Sequence, residues 1–123
     1  MKHNFKVNVK VFPLLEETIP AKKRYAFVYQ ITITNHGETS AQLLTRHWII
    51  QDETGHIEEV LGKGVVGQRP YLAPGEGFEY ASGSVIKTPT GTMKGSYGMI
   101  SDSGEKFELE IPEFVLSKPY TLQ

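Results

Sequence analysis

Apolar and polar residues alternate along most of this chain, and that two-residue period predicts strands. Phe5, Val7, Val9 and Val11 are separated by Lys6, Asn8 and Lys10, the pattern of a half-buried strand. Pro13 and Pro20 bracket "LLEETI", which reads as either a strand continuation or a loop. Tyr25, Phe27, Tyr29, Ile31 and Ile33 then line one face, and Asn35-His36-Gly37 closes that strand with turn chemistry. "QLLTRHWII" (42–50) is apolar on both faces, as expected of a central strand covered on both sides. Asp52-Glu53-Thr54-Gly55 turns the chain into "HIEEVL". Residues 62–77 hold five Gly and two Pro and read as a loop or an irregular edge. "GFEYASGSVI" is a further strand, and "MKGSYGMI" and "KFELEI" form a hairpin around Asp102-Ser103-Gly104. Phe114 and Leu116 continue the last strand beyond Pro112.

No segment carries a sustained apolar pattern at helical spacing. About seven short strands with frequent turn signals predict one all-β domain over residues 1–123. Its fold class is an antiparallel β-sandwich of the fibronectin type III or immunoglobulin kind. A small closed barrel is the alternative, because strand pattern alone does not show whether a sheet closes.

Composition narrows the chemistry. The 123 residues include no cysteine, which excludes disulfides, Cys-type zinc sites and thiol catalysis. A small domain that folds without disulfides fits a reducing cytoplasm. "MKHNFKVNVKVF" lacks the apolar core of a signal peptide, and no apolar run reaches membrane-spanning length. The net charge of −1, without long runs of one sign, argues against a nucleic-acid partner.

Gly62-Lys63-Gly64-Val65-Val66-Gly67 is a literal G-x-G-x-x-G. A dinucleotide fingerprint needs a helix after its glycines, whose N-terminus receives the pyrophosphate, and an acid about twenty residues on. Pro70 and Pro74 break any such helix, and Lys87 stands where the acid belongs. Two readings stay open: glycines that permit a bulge or close chain packing, or a backbone nest for phosphate at Gly62, Lys63, Gly64 and Gly67, aided by Arg69.

No other constellation points to catalysis. His3, His36, His47 and His56 form no ligand set; His56 with Glu58, or His47 with Gln51 or Glu53, are nonspecific pairings. There is no G-x-S-x-G elbow, and Ser82-Gly83-Ser84 has no evident base. The reading is a non-enzyme, with no catalytic residue, metal ligand or cofactor assigned. Trp48, Tyr71, Phe78, Tyr80 and Tyr97 cluster around the glycine loop in sequence, with Arg46 and Arg69 nearby. Such rings fill cores, but Arg and aromatic residues are also enriched at protein-binding hot spots. Exposed strand edges can accept a partner strand.

Three phrases carry a family resemblance. "RHWIIQDETGHIEEVLGKGVVGQRPYLAPGEGFEYASG" (46–83), "TPTGTMKGSYGMI" (88–100) and "FELEIPEFVLS" (107–117), with "VYQITITNHG" (28–37), closely resemble the ApaG family, also called CorD. The resemblance implies a fibronectin-III/Ig-like sandwich and a free-standing cytoplasmic protein. It also implies an association with cobalt and magnesium tolerance. In eukaryotes similar domains sit in F-box proteins and in a DNA-polymerase-δ-interacting protein, which implies a protein-interaction role. The family brings no established catalytic residues.

The sequence thus favours binding of an unidentified protein partner through Arg46, Trp48, Gln68, Arg69 and Tyr71, on a loop stiffened by proline. The alternative is a small-ligand binder, taking pyrophosphate or a dinucleotide at the glycine loop, or a divalent metal. A hydrolase is a third reading, and a homodimer stays open.

Overall fold

The computed structural model describes residues 3–117. Eight strands form two antiparallel sheets. The first sheet has the order β1-β2-β6 and holds β1 (Phe5–Pro13), β2 (Tyr25–Asn35) and β6 (Gly77–Ile86). The second has the order β4-β3-β7-β8 and holds β3 (Ala41–Asp52), β4 (Ile57–Lys63), β7 (Gly91–Ser101) and β8 (Lys106–Leu116). A two-residue strand, β5 (Tyr71–Leu72), pairs with the start of β3. The predicted sandwich is present, and the seven expected strands are joined by this short eighth. "LLEETI" is neither strand nor open loop: Leu15–Glu17 and Pro20–Lys22 are single 3-10 turns.

The period-two pattern decides which face is buried. In β2, Phe27, Tyr29, Ile31 and Ile33 point inward; in β8, Phe107, Leu109 and Ile111 do the same. Two bulges interrupt the alternation. One is an extra residue in β3, between Leu43 and Thr45; the other is an extra residue in β8, between Ile111 and Phe114, which face Gly95 and Met93 of β7. A bulge adds one residue to one strand and resets its phase. The first therefore turns Arg46, Trp48 and Ile50 inward, in register with the inward Tyr97, Gly95 and Met93 of β7. Trp48 is 2 % exposed, and its ring meets Tyr29, Phe114 and Tyr97 edge-on or tilted at centroid distances of 5.3, 5.8 and 6.5 Å. This aromatic cluster joins the two sheets.

Two buried polar side chains, Asn35 and Asp52, are satisfied locally. Asn35 is fully buried, donates to the carbonyls of Thr39 and Leu72, both at 3.0 Å, and accepts from the Gly37 amide at 2.8 Å. It fastens the end of β2 to the Pro74–Gly75 turn. At the β3–β4 hairpin, Asp52 Oδ1 accepts from the Thr54 hydroxyl (2.7 Å) and from the Thr54 and His56 amides (2.9 and 3.1 Å). The Thr54 hydroxyl, and after it the two amides, hold the Asp52 carboxyl below its ordinary range. A carboxylate depressed on folding contributes stability that is complete above its unfolded pKa, about 4. That contribution is lost as pH falls through the lower folded value. Asp52→Asn is therefore expected to lower the melting temperature at pH 7 and to narrow its gap to wild type below pH 3. Thermal melts across this range check it.

Candidate functional site

The two sheets close on one another where β1 meets β8. On the opposite side, β4 and β6 are both edge strands, and a cleft runs between them. One part, of about 390 Å³, is lined by Tyr29, Arg46, Trp48, Glu58, Val60 and Ser82, among others. A second part, of about 190 Å³, shares Tyr29, Arg46, Trp48 and Ser82 and continues under Val65, Val66 and Gly67. Small side chains leave this gap. The inward positions of β6 opposite Tyr29 and Phe27 are Ser82 and Ser84, and those of β4 are Val60 and Gly62.

Arg46 is the cation of the cleft. It pairs in register with Gly62 of β4 and Tyr97 of β7, and so starts from the inner face of a central strand. Its side chain lies across β4. A Cβ built on Gly62 would stand 2.5–2.6 Å from the guanidinium carbon and both terminal nitrogens. Nη1 donates to the carbonyls of Lys63 (3.0 Å) and Gly64 (2.9 Å). Among the described residues no carboxylate lies within salt-bridge distance of it, and its Nε and Nη2 have no protein acceptor. The guanidinium is thus fixed by two carbonyls and left with a free donor edge.

Hydroxyls surround it. Tyr80 and Tyr97 share a hydrogen bond of 2.5 Å, and Tyr29 and Ser82 line the same cleft. Burial pushes the pKa values of all three tyrosines above the ordinary phenol value. Near neutral pH they are neutral hydrogen-bond donors.

The glycine motif resolves into a hairpin. Val65 and Gln68 exchange both backbone hydrogen bonds at 2.8 Å around Val66 and Gly67, both with positive φ. This is a tight two-residue turn. The Gly64 amide donates to Leu44 O at 2.8 Å, and a Cβ on Gly64 would lie 2.4 Å from Gln68 O. The amides of Gly64, Val65 and Gln68 are therefore already spent. Of the phosphate nest read at Gly62, Lys63, Gly64 and Gly67, the Gly64 amide is thus taken; Gly64 permits close packing against Gln68, Gly67 supplies a positive φ of the turn, and Gly62 makes room for Arg46.

The five residues grouped from the sequence do not form one patch. Trp48 is core, a correction: the bulge before it fixes its phase, and it is no surface anchor. Arg46 lies in the cleft. Gln68, Arg69 and Tyr71 are exposed on the segment after the hairpin. There the Tyr71 hydroxyl donates to Asp102 at 2.7 Å, and Gln42 Nε2 donates to Arg69 O at 3.1 Å. Tyr80 and Tyr97, grouped with the loop aromatics, are also buried. The sequence reading missed Tyr29, Ser82 and Glu58 as cleft residues; "ASGS" (81–84) was the available signal, a run of small residues in a strand.

A larger concavity of about 700 Å³ opens on the outer face of the second sheet, beside His47, Lys94, Glu108 and Glu110. Opposite charges interleave there, and His47 is already bonded to Glu59 at 2.6 Å. Among the described residues no three His, Asp or Glu side chains converge on a metal position, and no helix is long and apolar enough to cross a membrane.

Fold and cleft together define a small antiparallel β-sandwich with one open side and a lone arginine at its mouth. The chain belongs to the ApaG family: the ApaG domain model matches residues 15–101. It is 47 % identical over 126 residues to Protein ApaG of Aromatoleum aromaticum, covering 99 % of both chains. It is 49 % identical over 121 residues to that of Nitrosomonas eutropha, covering 98 % of this chain and 95 % of the other. The crystal structure of a Bordetella pertussis protein described as ApaA matches with a TM-score of 0.93, at 45 % identity over 97 % of both chains. A second X-ray structure, from a structural-genomics programme, matches at 0.89 and 45 %, covering 97 % of this chain and 92 % of the other.

Proposed function

We propose that this chain is a non-enzymatic binding module whose partner is a protein, and that the partner adds an extended segment to the free edge of β4. The carrying observation is the exposure of Leu61 (73 %) and Ile57 (57 %) on the outer face of that edge strand. Edge strands present unpaired backbone groups, and proteins normally blunt them. The other edge of the same sheet is blunted: β8 contains Pro112, a register shift and the charges of Lys106, Glu108 and Glu110. On β1, Lys6 and Lys10 do that work. β4 has neither proline nor bulge, and alongside Glu58, Glu59 and Lys63 it displays two large apolar side chains, each more exposed than Phe12 of β1 (48 %) or Val115 of β8 (56 %).

The cleft supports binding rather than chemistry. Burial drives its three tyrosines further from titrating near neutral pH. We place this binding in the cytoplasm, in keeping with a chain that has no cysteine. An effect on cobalt or magnesium tolerance would then be indirect, exerted through the partner. Photo-crosslinking tests the reading: a photoreactive residue at position 61 is expected to join the chain to a protein in its native cells. Crosslinks that are no more frequent from 61 than from exposed positions elsewhere would contradict it.

A further inference from the structure

We infer that Arg46, carried over Gly62 to the free edge of β4, is a carboxylate-binding subsite that reads an acidic side chain in the partner's extended segment. The inference rests on the binding-module reading above and adds the chemistry of what binds.

Geometry carries it. Neighbouring strands lie about 4.8 Å apart, so an arginine on β3 normally ends beneath β4. Here Gly62 has no side chain, and the guanidinium lies over it. Nη1 is anchored by Lys63 O and Gly64 O, which fixes the plane of the group. The free Nε–Nη2 edge has the spacing that two carboxylate oxygens match as a bidentate pair. A strand added beside β4 would point every second side chain inward, over the cleft, and the intervening ones outward, beside Ile57 and Leu61. One inward position then faces Arg46, with the hydroxyls of Ser82, Tyr29 and Tyr80 nearby.

Charge selects the ligand. The cleft offers one guanidinium and also contains Glu58, four residues along β4 from Gly62. A single positive charge balances a carboxylate. A phosphate carrying about two negative charges would be undercompensated, and Glu58 would repel it more strongly than it repels a singly charged carboxylate. Of the motif's glycines, Gly62 thereby serves an arginine that takes a carboxylate.

The test uses the full chain and synthetic pentapeptides, followed by NMR at the Arg46 Nε–H and the β4 amides. The probe acetyl-Thr-Val-Glu-Val-Thr-amide places Glu on one face of a strand and both Val on the other. It is expected to shift those resonances and to bind about tenfold more tightly than its Gln counterpart, the scale of one charge-assisted hydrogen-bonded pair. Arg46→Lys keeps the charge but loses the fork, and Gly62→Ala keeps Arg46 but pushes the guanidinium aside. Both are expected to weaken the Glu peptide about fivefold or more and to leave the Gln peptide unchanged. Equal affinity for the Glu and Gln peptides in the wild-type chain would overturn the inference, without any variant being needed. Tighter binding of the phosphoserine counterpart would overturn it too. Its failure is separable from that of the parent reading: undiminished crosslinking from position 61 in Arg46→Gln would remove the subsite and leave the module standing.

Discussion

Replacing Trp48 with alanine is expected to lower the unfolding free energy by about 3–5 kcal/mol, the usual cost of removing a fully buried aromatic side chain. The ring is 2 % exposed and touches Tyr29, Phe114 and Tyr97, so its loss breaks contacts within and between both sheets. Around it the backbone is fixed by central strands, which limits collapse into the cavity. Stabilities of domains this size are about 5–15 kcal/mol, so the variant should be measurably less folded at 37 °C. Urea denaturation followed by circular dichroism checks it. A loss under 1 kcal/mol would mean that the ring is not core. The size of the loss separates a core role for Trp48 from the surface role that its residue type alone suggests.

Gly95→Ala is expected to cost about 3 kcal/mol or more, at the upper end of overpacking penalties. A Cβ at Gly95 would lie 2.0 Å from His47 O, 3.1 Å from His47 C and 3.2 Å from Trp48 Cα. Every one of these is a backbone atom of the neighbouring central strand, so no rotamer change relieves the clash. The β3–β7 pairing would have to part where Gly95 faces Trp48. Gly83→Ala is the control: its Cβ would meet only Phe27 O, at an ordinary 3.6 Å, and its melting temperature should stay within a few degrees of wild type. Equal melting temperatures for the two variants would contradict the register assigned to β3 and β7.

Much of this molecule was legible in its sequence. The alternation in Phe5–Val11, Tyr25–Ile33 and Phe107–Ile111 states directly which faces are buried, because a strand has a fixed period of two. The 62–77 segment reads as irregular from its five glycines and two prolines, and between the end of β4 and the start of β6 it holds a hairpin turn and a two-residue strand. Phase across a bulge was not legible. "QLLTRHWII" looks apolar on both faces because the insertion at Leu44 shifts the alternation midway, and only the pairing with β7 shows that Arg46 and Trp48 point inward. The part played by Gly62 was hidden for a related reason. A G-x-G-x-x-G is read along the chain, whereas the partner of Gly62 is Arg46, sixteen residues back and across a strand pair. Register between strands is a property of the folded sheet, and no local pattern states it.

The central claim is that this sandwich binds a protein along the free edge of β4. Its most direct test places a photoreactive residue singly at 61, on that edge, and at 115 and 12, which are exposed on β8 and β1. Each full-length variant is irradiated in its native cells, and the crosslinked products are identified by mass spectrometry. The account predicts one dominant protein adduct from position 61, at least several-fold above positions 115 and 12. Adducts equally abundant from all three positions, or strongest from β8 or β1, would contradict it.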